Sequence, residues 1–359
     1  MTISGIPWSA RVLSGSSTTA SGAGFLTPIA KPKRRWKGKT LLIWTVVGAI
    51  AVFALLSLIA DFHGLVSALE NFPPHILLEV GLLALGNYLL RFIKWHWYLS
   101  SMNHRIAPGP NALVFVSAFA FTVTPAKVGE FIKAFILKAR YRVPYTVSTA
   151  VLLMERFTDV LAILLLSFSG LLLGSLNPFW TGGAGALIVV FLLLVRNKKF
   201  VRAIIEWLGR FKRLRGITED AHEFYDYGWG LMAPGIFTGS MILSLAAWFL
   251  EGFGYYLVAN GLGFHLSILE GVFIYSASIM GGALTLFLGG LGATEGSLVG
   301  LGIIFGMSNS LSVAAAIIIR IMTLWLAVVI GWLAFLFTPT LRSLLGASYE
   351  DEPPTSELL

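Results

Sequence analysis

Charged residues inside apolar segments are the positions of this sequence that could do chemistry, because an uncompensated charge in hydrocarbon is costly and usually functional. Two glutamates, Glu130 and Glu295, each follow an interruption of such a segment. An arginine lies in the next apolar segment in both cases, Arg156 at 26 residues and Arg320 at 25 residues further on. Arginine can hold a phosphate group through two parallel hydrogen bonds, which lysine cannot. This pattern predicts an anion-binding site within the apolar part of the chain.

The first interruption carries residues that are typical of a helix start. Thr124 can accept hydrogen bonds from unpaired backbone N–H groups, and Pro125 suits the first helical position because it lacks an N–H. Lys127 would add a full positive charge to that helix N-terminus, and Gly129 belongs to the same break. This arrangement predicts a seat for phosphate. The alternative is that Pro125 only kinks a long helix and that Lys127 reaches to the membrane surface.

The second interruption is rich in glycine. Gly289, Gly290 and Gly292 permit a tight turn or a close backbone approach. Thr294 and Glu295 supply polar groups near the start of the next helix. Glycines in membrane helices also serve simply as packing sites. A carboxylate at this depth favours a functional role, although a protonated Glu295 would also fit.

A charged cluster formed by Glu155, Arg156 and Asp159 lies early in an apolar segment. The two carboxylates are four residues apart and share a helix face, and Arg156 can reach Asp159 three residues away. Two interpretations remain open. Arg156 and Arg320 could hold a phosphate together, or the cluster could be an internal set of salt bridges that fixes helix packing. Arg320 has no acidic residue within four positions, so its partner must come from another segment or from a ligand.

The composition excludes a soluble globular domain. Of the 359 residues, 56% are hydrophobic and only 12% are charged, whereas soluble domains carry roughly 25% charged residues. Apolar runs of about 18 or more residues recur along the chain, which indicates a polytopic helical membrane protein. The absence of cysteine excludes disulfides and thiolate metal sites. The net charge of +8 is expected to reflect basic residues on the cytoplasmic side rather than binding to nucleic acid.

Six full spans are predicted from the apolar runs, at 41–60, 76–98, 146–170, 182–195, 234–258 and 313–337. Lysine and arginine are concentrated at alternate ends of these spans, with eight of them in the stretch 196–215. The loops without any lysine or arginine are 61–75, 171–181, 259–267 and 306–312. This asymmetry predicts that both termini are cytoplasmic.

The segments 111–140 and 268–305 are interrupted. The positions of lysine and arginine around them indicate that each segment begins and ends on the same side of the membrane. A helix over 126–139 would be about 21 Å long, shorter than the roughly 30 Å hydrocarbon core. We therefore expect an all-α membrane protein of about six full spans plus two re-entrant helical hairpins from opposite sides. The triplets 76–170 and 234–337 would then form an inverted-topology repeat, which in transporters surrounds a site near the midplane.

The remaining boundaries follow from composition. We expect a disordered, basic cytoplasmic tail at 1–39, a transmembrane domain at 40–338 and a cytoplasmic C-terminal tail at 339–359. The charged segment 196–229 is predicted to lie at the cytoplasmic interface. Residues 91–98, which mix basic and aromatic side chains, are predicted to form an interfacial belt.

Motifs for enzyme chemistry are missing from the sequence. We find no H-E-x-x-H, G-x-S-x-G or Walker motif, and the six histidines are not spaced as metal ligands. We therefore predict no catalytic residue, no metal, no cofactor and no ATP-driven transport by this chain alone.

Three motifs, in this order, resemble those of the flippase-like family: 124–130 followed by Lys133, then 154–159, then 289–295. This family is the membrane region of lysylphosphatidylglycerol synthases and of many stand-alone relatives, and the resemblance covers about 40–340. It implies an inner-membrane protein that moves a lipid between leaflets. In the multiple peptide resistance factor this region is joined to a soluble synthase, which we expect to be absent here. Stand-alone relatives have been connected with polyprenyl-linked glycans and hopanoid lipids, so the lipid stays open.

The sequence thus predicts a lipid translocase in which an anionic headgroup enters a polar cavity between the hairpins. Lys127, Arg156 and Arg320 would attract phosphate, while Glu130 and Glu295 would position it, neutralise those cations or carry a coupling proton. The candidate lipids are an anionic phospholipid, a polyprenyl-phosphate-linked lipid and a hopanoid. A homodimer and a partner synthase or glycosyltransferase also stay open. The alternative is a non-transporting membrane subunit that scaffolds an enzyme of lipid or glycan synthesis, and an intramembrane enzyme ranks third.

Overall fold

A computed structural model of the chain describes residues 62–123, 130–172, 225–284 and 290–337, which are mostly helical. Several predicted features lie outside the described residues: the tails at 1–39 and 339–359, the spans at 41–60 and 182–195, and the charged segment as far as residue 224.

The α-helices are, in chain order, α1 (Phe62–Glu70), α2 (Pro74–Ser101), α3 (Pro108–Ser117), α4 (Ile132–Tyr141), α5 (Tyr145–Ser167), α6 (Ser169–Leu172), α7 (Pro234–Gly261), α8 (Ile268–Leu284), α9 (Ala293–Ile304), α10 (Asn309–Arg320) and α11 (Leu326–Phe337). A 3₁₀ helix (Ala118–Phe121) extends α3, and a π-helix (Ile321–Trp325) joins α10 to α11.

Proline sets the beginning of several helices. Pro74, Pro108 and Pro234 each lie in the first turn of their helix, where the missing N–H has no intrahelical partner to lose. At the C-terminus of α4, Arg142 adopts a left-handed conformation with φ of 56° and ends the helix. These local signals explain why the helix bounds fall within a few residues of those expected from the apolar runs.

Three helices in the described part of the chain are long and apolar enough to cross a membrane, namely α2, α7 and the continuous stretch Asn309–Phe335. Each has 27 or 28 residues, which gives a length of about 40 Å and exceeds the roughly 30 Å hydrocarbon core. They correspond to the spans predicted at 76–98, 234–258 and 313–337, and they are consistent with the predicted helical membrane protein. Helix α5, in the region of the span predicted at 146–170, has 23 residues, carries the predicted charged cluster and is not one of these three helices.

The two interrupted segments each consist of shorter helices. The segment 111–140 contains α3, its 3₁₀ extension and α4, and the segment 268–305 contains α8 and α9. Between α8 and α9, Gly290 and Gly292 have φ values of +88° and +86°, a conformation that costs glycine little and other residues much. The chain therefore turns sharply there and starts α9 at Ala293.

Helices α2 and α7 pack against each other in opposite directions. The Cα of Gly239 faces the ring of Trp97 near one end of the pair, and that of Gly261 faces Ile76 at the other end. In the middle, the side chain of Asn87 donates a hydrogen bond of 2.8 Å to the backbone carbonyl oxygen of Ala247. This antiparallel pair forms the centre against which α5, α8 and α10 pack, and it positions the polar residues described below.

Candidate functional site

A cavity of about 230 Å³ lies where α2, α5, α7, α8 and α10 meet the two interrupted segments. The charged side chains that line it are Arg91, Arg156, Arg320, Glu130, Asp159 and Glu251. Aromatic and hydroxyl groups from Tyr88, Trp248 and Tyr275 complete its polar wall. The structure therefore brings six of the predicted site residues to one space, although they come from distant parts of the sequence: Glu130, Arg156, Asp159, Gly290, Thr294 and Arg320.

Arg156 is held by three carboxylates. Its Nη2 lies 2.5 Å from Oε1 of Glu155 and 3.3 Å from Oδ2 of Asp159, one helical turn away on α5. Its Nε lies 3.6 Å from Oε2 of Glu130, which directly follows the first break. The contact with Asp159 is the one that the three-residue spacing predicts. With 22% of its side chain exposed, Arg156 is the most accessible cation of this cluster.

Lys94 is a site residue that the sequence pattern assigned incorrectly to an interfacial belt. The side chain is completely buried, and Nζ lies 2.5 Å from Oδ1 of Asp159 and 2.7 Å from Oγ of Ser244. Trp95 and Tyr98 of the predicted belt are also completely buried. The belt prediction is wrong because this face of α2 packs against α5 and α7, where Asp159 compensates the lysine charge. The sequence does contain a signal for this burial: Lys94 lies inside its predicted span (76–98), just as Arg156 lies inside the span 146–170.

Glu155 joins two further cations to the cluster. Nζ of Lys133 on α4 lies 2.8 Å from Oε2 of Glu155 and 4.2 Å from the centre of the Trp95 ring. Nη2 of Arg91 lies 3.4 Å from Oε1 of the same carboxylate, and its Nε lies 3.6 Å from Asp159. The cluster therefore fastens α4 to α2 and α5, which makes Glu155 a residue that holds the wall of the cavity.

The partner of Arg320 is Glu295, one of the possibilities that sequence alone left open. Nε of Arg320 lies 2.5 Å from Oε1 of Glu295, and both side chains are buried. The second oxygen, Oε2, accepts a hydrogen bond of 2.6 Å from the backbone N–H of Gly292, at the N-terminus of α9. Thr294 lies beside this pair, where its hydroxyl closely approaches the backbone of Gly282 on α8.

Two tyrosines complete the wall near α7 and α10. The hydroxyl of Tyr275 donates a hydrogen bond of 2.5 Å to Oε2 of Glu251. The hydroxyl of Tyr88 donates to the backbone carbonyl oxygen of Thr323, inside the π-helix that follows Arg320. A π-helix leaves backbone groups without their usual α-helical partners and is common at functional sites. Both tyrosines are missing from the residues that the sequence pattern predicts for the site.

Several nitrogen atoms around the cavity have unused hydrogen-bond donors. Nε1 of Trp248 is buried and makes no hydrogen bond, and the buried Nε atoms of Arg91 and Arg156 reach carboxylate oxygens only at 3.6 Å. The buried Oδ2 of Asp159 also makes no hydrogen bond. A buried N–H without a partner is costly, and an anionic oxygen is the strongest acceptor that could satisfy it. Among the described residues, no group of three or more His, Asp or Glu side chains is arranged to hold a metal ion. Three arginines and three carboxylates line the cavity, so the charged side chains of its wall balance one another.

Five of the predicted site residues lie outside the described residues: Thr124, Pro125, Lys127, Gly129 and Gly289.

Comparison with known proteins identifies one family and several relatives. The profile of the family described as the lysylphosphatidylglycerol synthase TM region matches residues 46–331. A UPF0104 membrane protein of Methanothermobacter thermautotrophicus is 24% identical over 350 residues, which cover 89% of this chain and 95% of the relative. A UPF0104 membrane protein of Methanocaldococcus jannaschii is 25% identical over 60% of this chain and 93% of its own length. The glycosyltransferase AglD of Haloferax volcanii is 28% identical over 115 residues, which cover 32% of this chain and 18% of AglD.

Proposed function

We propose, from the premise that this chain belongs to the lysylphosphatidylglycerol synthase transmembrane-region family, that it is a translocase moving a phosphate-bearing lipid between membrane leaflets. The observation that carries the proposal is the cavity of about 230 Å³, in which three arginines and three carboxylates lie among mostly apolar lining residues. Charged side chains at this depth are costly even when they pair with one another, and they mark substrate pathways in membrane proteins. A headgroup would enter the cavity while its acyl chains stay in the bilayer.

The proposed roles of the residues follow from their accessibility. Arg156 is the partly exposed cation of the cavity, and its planar guanidinium suits the oxygens of a phosphate. Arg320 would add a second guanidinium from the opposite wall, and Lys127 would add an ammonium from the first break. Glu130 and Asp159 would hold Arg156 in place when the cavity is empty. An incoming phosphate would then replace a carboxylate as the hydrogen-bond acceptor of this guanidinium.

We also propose that α3–α4 and α8–α9 are re-entrant hairpins of an inverted-topology repeat. The antiparallel α2 and α7 have the same length, 28 residues, as expected for corresponding helices of two opposed halves. The pairs Glu130–Arg156 and Glu295–Arg320 support this correspondence, because in both the glutamate after a break contacts the arginine of the next span. Broken helices at the midplane are the usual place for a transporter binding site.

The proposed location is a bacterial cytoplasmic membrane with both termini in the cytoplasm. In support, Arg105, Lys138, Arg140 and Arg142 are exposed after or near the C-terminal ends of α2 and α4, and such residues favour the cytoplasmic side. Because the chain has no cysteine, single variants can test this directly. A membrane-impermeant maleimide added to intact cells should label Ser308→Cys and leave Arg142→Cys unlabelled. The reverse pattern would contradict the proposed orientation.

A second candidate function is that of a non-transporting subunit for an enzyme of lipid or glycan synthesis. The partial similarity to the glycosyltransferase AglD favours this candidate. The two functions differ in what the isolated chain does in a bilayer. A subunit would give no leaflet exchange alone, would be purified together with its enzyme, and would raise that enzyme's activity.

The experiment that tests the proposal uses the purified chain in liposomes with a tail-labelled anionic phospholipid. A translocase brings inner-leaflet label to the outer leaflet, where dithionite bleaches it, so bleaching should go beyond that of protein-free liposomes. Bleaching equal to that of protein-free liposomes, with phosphatidylglycerol and with polyprenyl phosphate, would contradict the translocase proposal and favour the subunit.

A further inference from the structure

A hydrogen-bonded joint connects α2 to α3 outside the cavity. Nε1 of Trp95 donates a hydrogen bond of 3.1 Å to Oδ1 of Asn111, and Nδ2 of Asn111 lies 2.9 Å from Nδ1 of His96. Trp95 and Asn111 are completely buried, whereas His96 is partly exposed. The joint therefore runs from a buried indole to a histidine that protons can reach.

The indole determines which form of His96 fits the joint. Nε1 of a tryptophan can only donate, so Asn111 presents its carbonyl oxygen to Trp95 and its amide nitrogen to His96. That nitrogen is also only a donor, so Nδ1 of His96 must accept. A histidine nitrogen can accept only while the ring is neutral, because both ring nitrogens of the charged form carry a proton.

A protonated His96 would place one N–H group against another. Turning the amide of Asn111 by 180° would give the histidine an acceptor, but it would set the amide nitrogen against the indole N–H of Trp95. In either arrangement a buried N–H loses its acceptor, which is costly. Histidine changes its charge between pH 5 and 8, so acidification acts on this joint.

The charges around His96 do not favour a protonated ring. Among the described residues, no carboxylate forms an ion pair with His96, and α3 carries no charged side chain. Basic residues outnumber acidic ones in the elements packed around this end of α2, where the acidic and basic side chains are Arg91, Lys94, His104, Arg105, Glu130, Lys133, Lys138, Arg140, Arg142, Glu155, Arg156, Asp159, Asp226 and Glu251.

The same joint holds the side chain of Lys133 on α4. Its Nζ lies 4.2 Å from the centre of the Trp95 ring and 4.9 Å from that of the Phe115 ring. Trp95 directly precedes His96 on α2, and Phe115 lies one turn after Asn111 on α3. Lys133 therefore lies against one ring from each of the two helices that the joint connects.

Lys133 links the joint to the cavity. Its Nζ lies 2.8 Å from Oε2 of Glu155, and Oε1 of that carboxylate lies 2.5 Å from Nη2 of Arg156. Arg156 lines the cavity. Contacts thus connect the partly exposed His96 to the guanidinium to which the proposed function assigns the headgroup.

We propose that His96 is a pH-dependent positioning residue for this cavity. Its neutral ring holds α3 and α4 against α2, and its protonation loosens both helices. Acidification from pH 7.5 to pH 5.5 thereby displaces Lys133 and, through Glu155, the guanidinium of Arg156. The loosening of α3 and α4 does not depend on what the cavity binds, whereas the effect on transport rests on the proposed function.

The test is hydrogen–deuterium exchange of the full chain in detergent, measured by mass spectrometry and corrected for the intrinsic exchange rate at each pH. Protection of peptides from α3 and α4 should be at least about threefold lower at pH 5.5 than at pH 7.5, because a buried N–H has lost its acceptor. His96→Asn keeps an acceptor oxygen near the position of Nδ1 at both pH values, so its protection should not change. His75→Asn, an exposed position near the start of α2, is the matched control and should behave as the native chain does.

Two results would overturn the inference: equal protection of the native chain at both pH values, or the same loss of protection in His96→Asn. If His96→Asn does not fold, the native chain decides by comparison with α10, which carries no part of these contacts. A loss confined to α3 and α4 supports the inference, and an equal loss in α10 overturns it.

The effect on transport is measured with short-chain fluorescent phosphatidylglycerol in liposomes, from which albumin extracts the label of the outer leaflet. The phosphodiester of this lipid stays ionised at both pH values. Exchange by the native chain should be at least about threefold slower at pH 5.5, and exchange by His96→Asn should be equal at both. No exchange by the native chain at either pH contradicts the translocase alone, because hydrogen exchange still decides the role of His96. Equal native exchange at both pH values, despite loosened helices, overturns the link from His96 to Arg156.

Discussion

Nε of Arg320 lies 2.5 Å from Oε1 of Glu295, and both side chains are buried among helices that are largely apolar. The same carboxylate accepts the backbone N–H of Gly292. One side chain therefore neutralises a buried guanidinium and fixes the start of α9 after the glycine break. Glu130, which follows the first break, and Arg156 form the corresponding pair, at the longer distance of 3.6 Å between Oε2 and Nε.

The first prediction concerns the stability that this pair provides. Glu295→Ala leaves the guanidinium of Arg320 buried without its carboxylate, and loss of one partner of a buried ion pair costs about 3–5 kcal/mol. The melting temperature of the purified protein in detergent should therefore fall well below that of the native chain. Glu79→Ala removes an exposed carboxylate and serves as the control. An equal melting temperature for both variants would contradict the structural role assigned to Glu295.

Part of this site can be predicted from the sequence alone. The separations of 26 and 25 residues between Glu130 and Arg156 and between Glu295 and Arg320 mark both pairs in the sequence itself, because charges inside apolar segments are rare. The contact of Arg156 with Asp159 follows from helical spacing alone. These features depend on local pattern, which is why they can be predicted.

Other contacts could not be predicted because they join segments far apart in the chain. The partner of Lys94 lies 65 residues away, and its second neighbour, Ser244, lies 150 residues away. A run of basic and aromatic residues near a span end is typical of an interfacial belt, so the pattern favoured the wrong location. Only the packing of α2 against α5 and α7 shows that Lys94 is buried, and only that packing makes it part of the site.

The second prediction follows from this burial. Lys94→Met removes the cation closest to Asp159 and leaves that buried carboxylate with weaker compensation from Arg91 and Arg156. The cost of several kcal/mol should appear as a lower yield of monodisperse protein in size-exclusion chromatography. Lys138→Met, on the exposed face of α4, should give the native yield. A normal yield of Lys94→Met would show that the lysine is dispensable for folding.

The third prediction concerns the close approach between α8 and α9. A Cβ added at Gly282 would overlap Oγ1 of Thr294 and lie 3.0 Å from the Cβ of that residue. Gly282→Ala should therefore displace the start of α9, cost about 1–3 kcal/mol and reduce leaflet exchange in liposomes. Gly296→Ala is the matched control on α9, because nothing lies within 4 Å of its added Cβ. Equal exchange by the two variants would show that the backbone approach at Gly282 does not shape the cavity.

The fourth prediction separates the charge of Arg156 from its shape. Arg156→Lys keeps the positive charge but loses the planar donors that suit a phosphate, so leaflet exchange should fall at least about tenfold. Folding should be retained, because Glu155 still contacts Lys133 and Arg91. The control is Arg142→Lys, at an exposed position after α4. Native exchange by Arg156→Lys would mean that charge alone is sufficient at this position.

The measurement that tests the transport site most directly is dithionite-accessible label in liposomes that contain the native chain or Arg156→Ala, with folding of both confirmed by size-exclusion chromatography. We predict leaflet exchange above the protein-free level for the native chain and exchange at the protein-free level for Arg156→Ala. Full exchange by a folded Arg156→Ala would contradict the assignment of the cavity as the transport site. No exchange by the native chain would contradict the translocase itself.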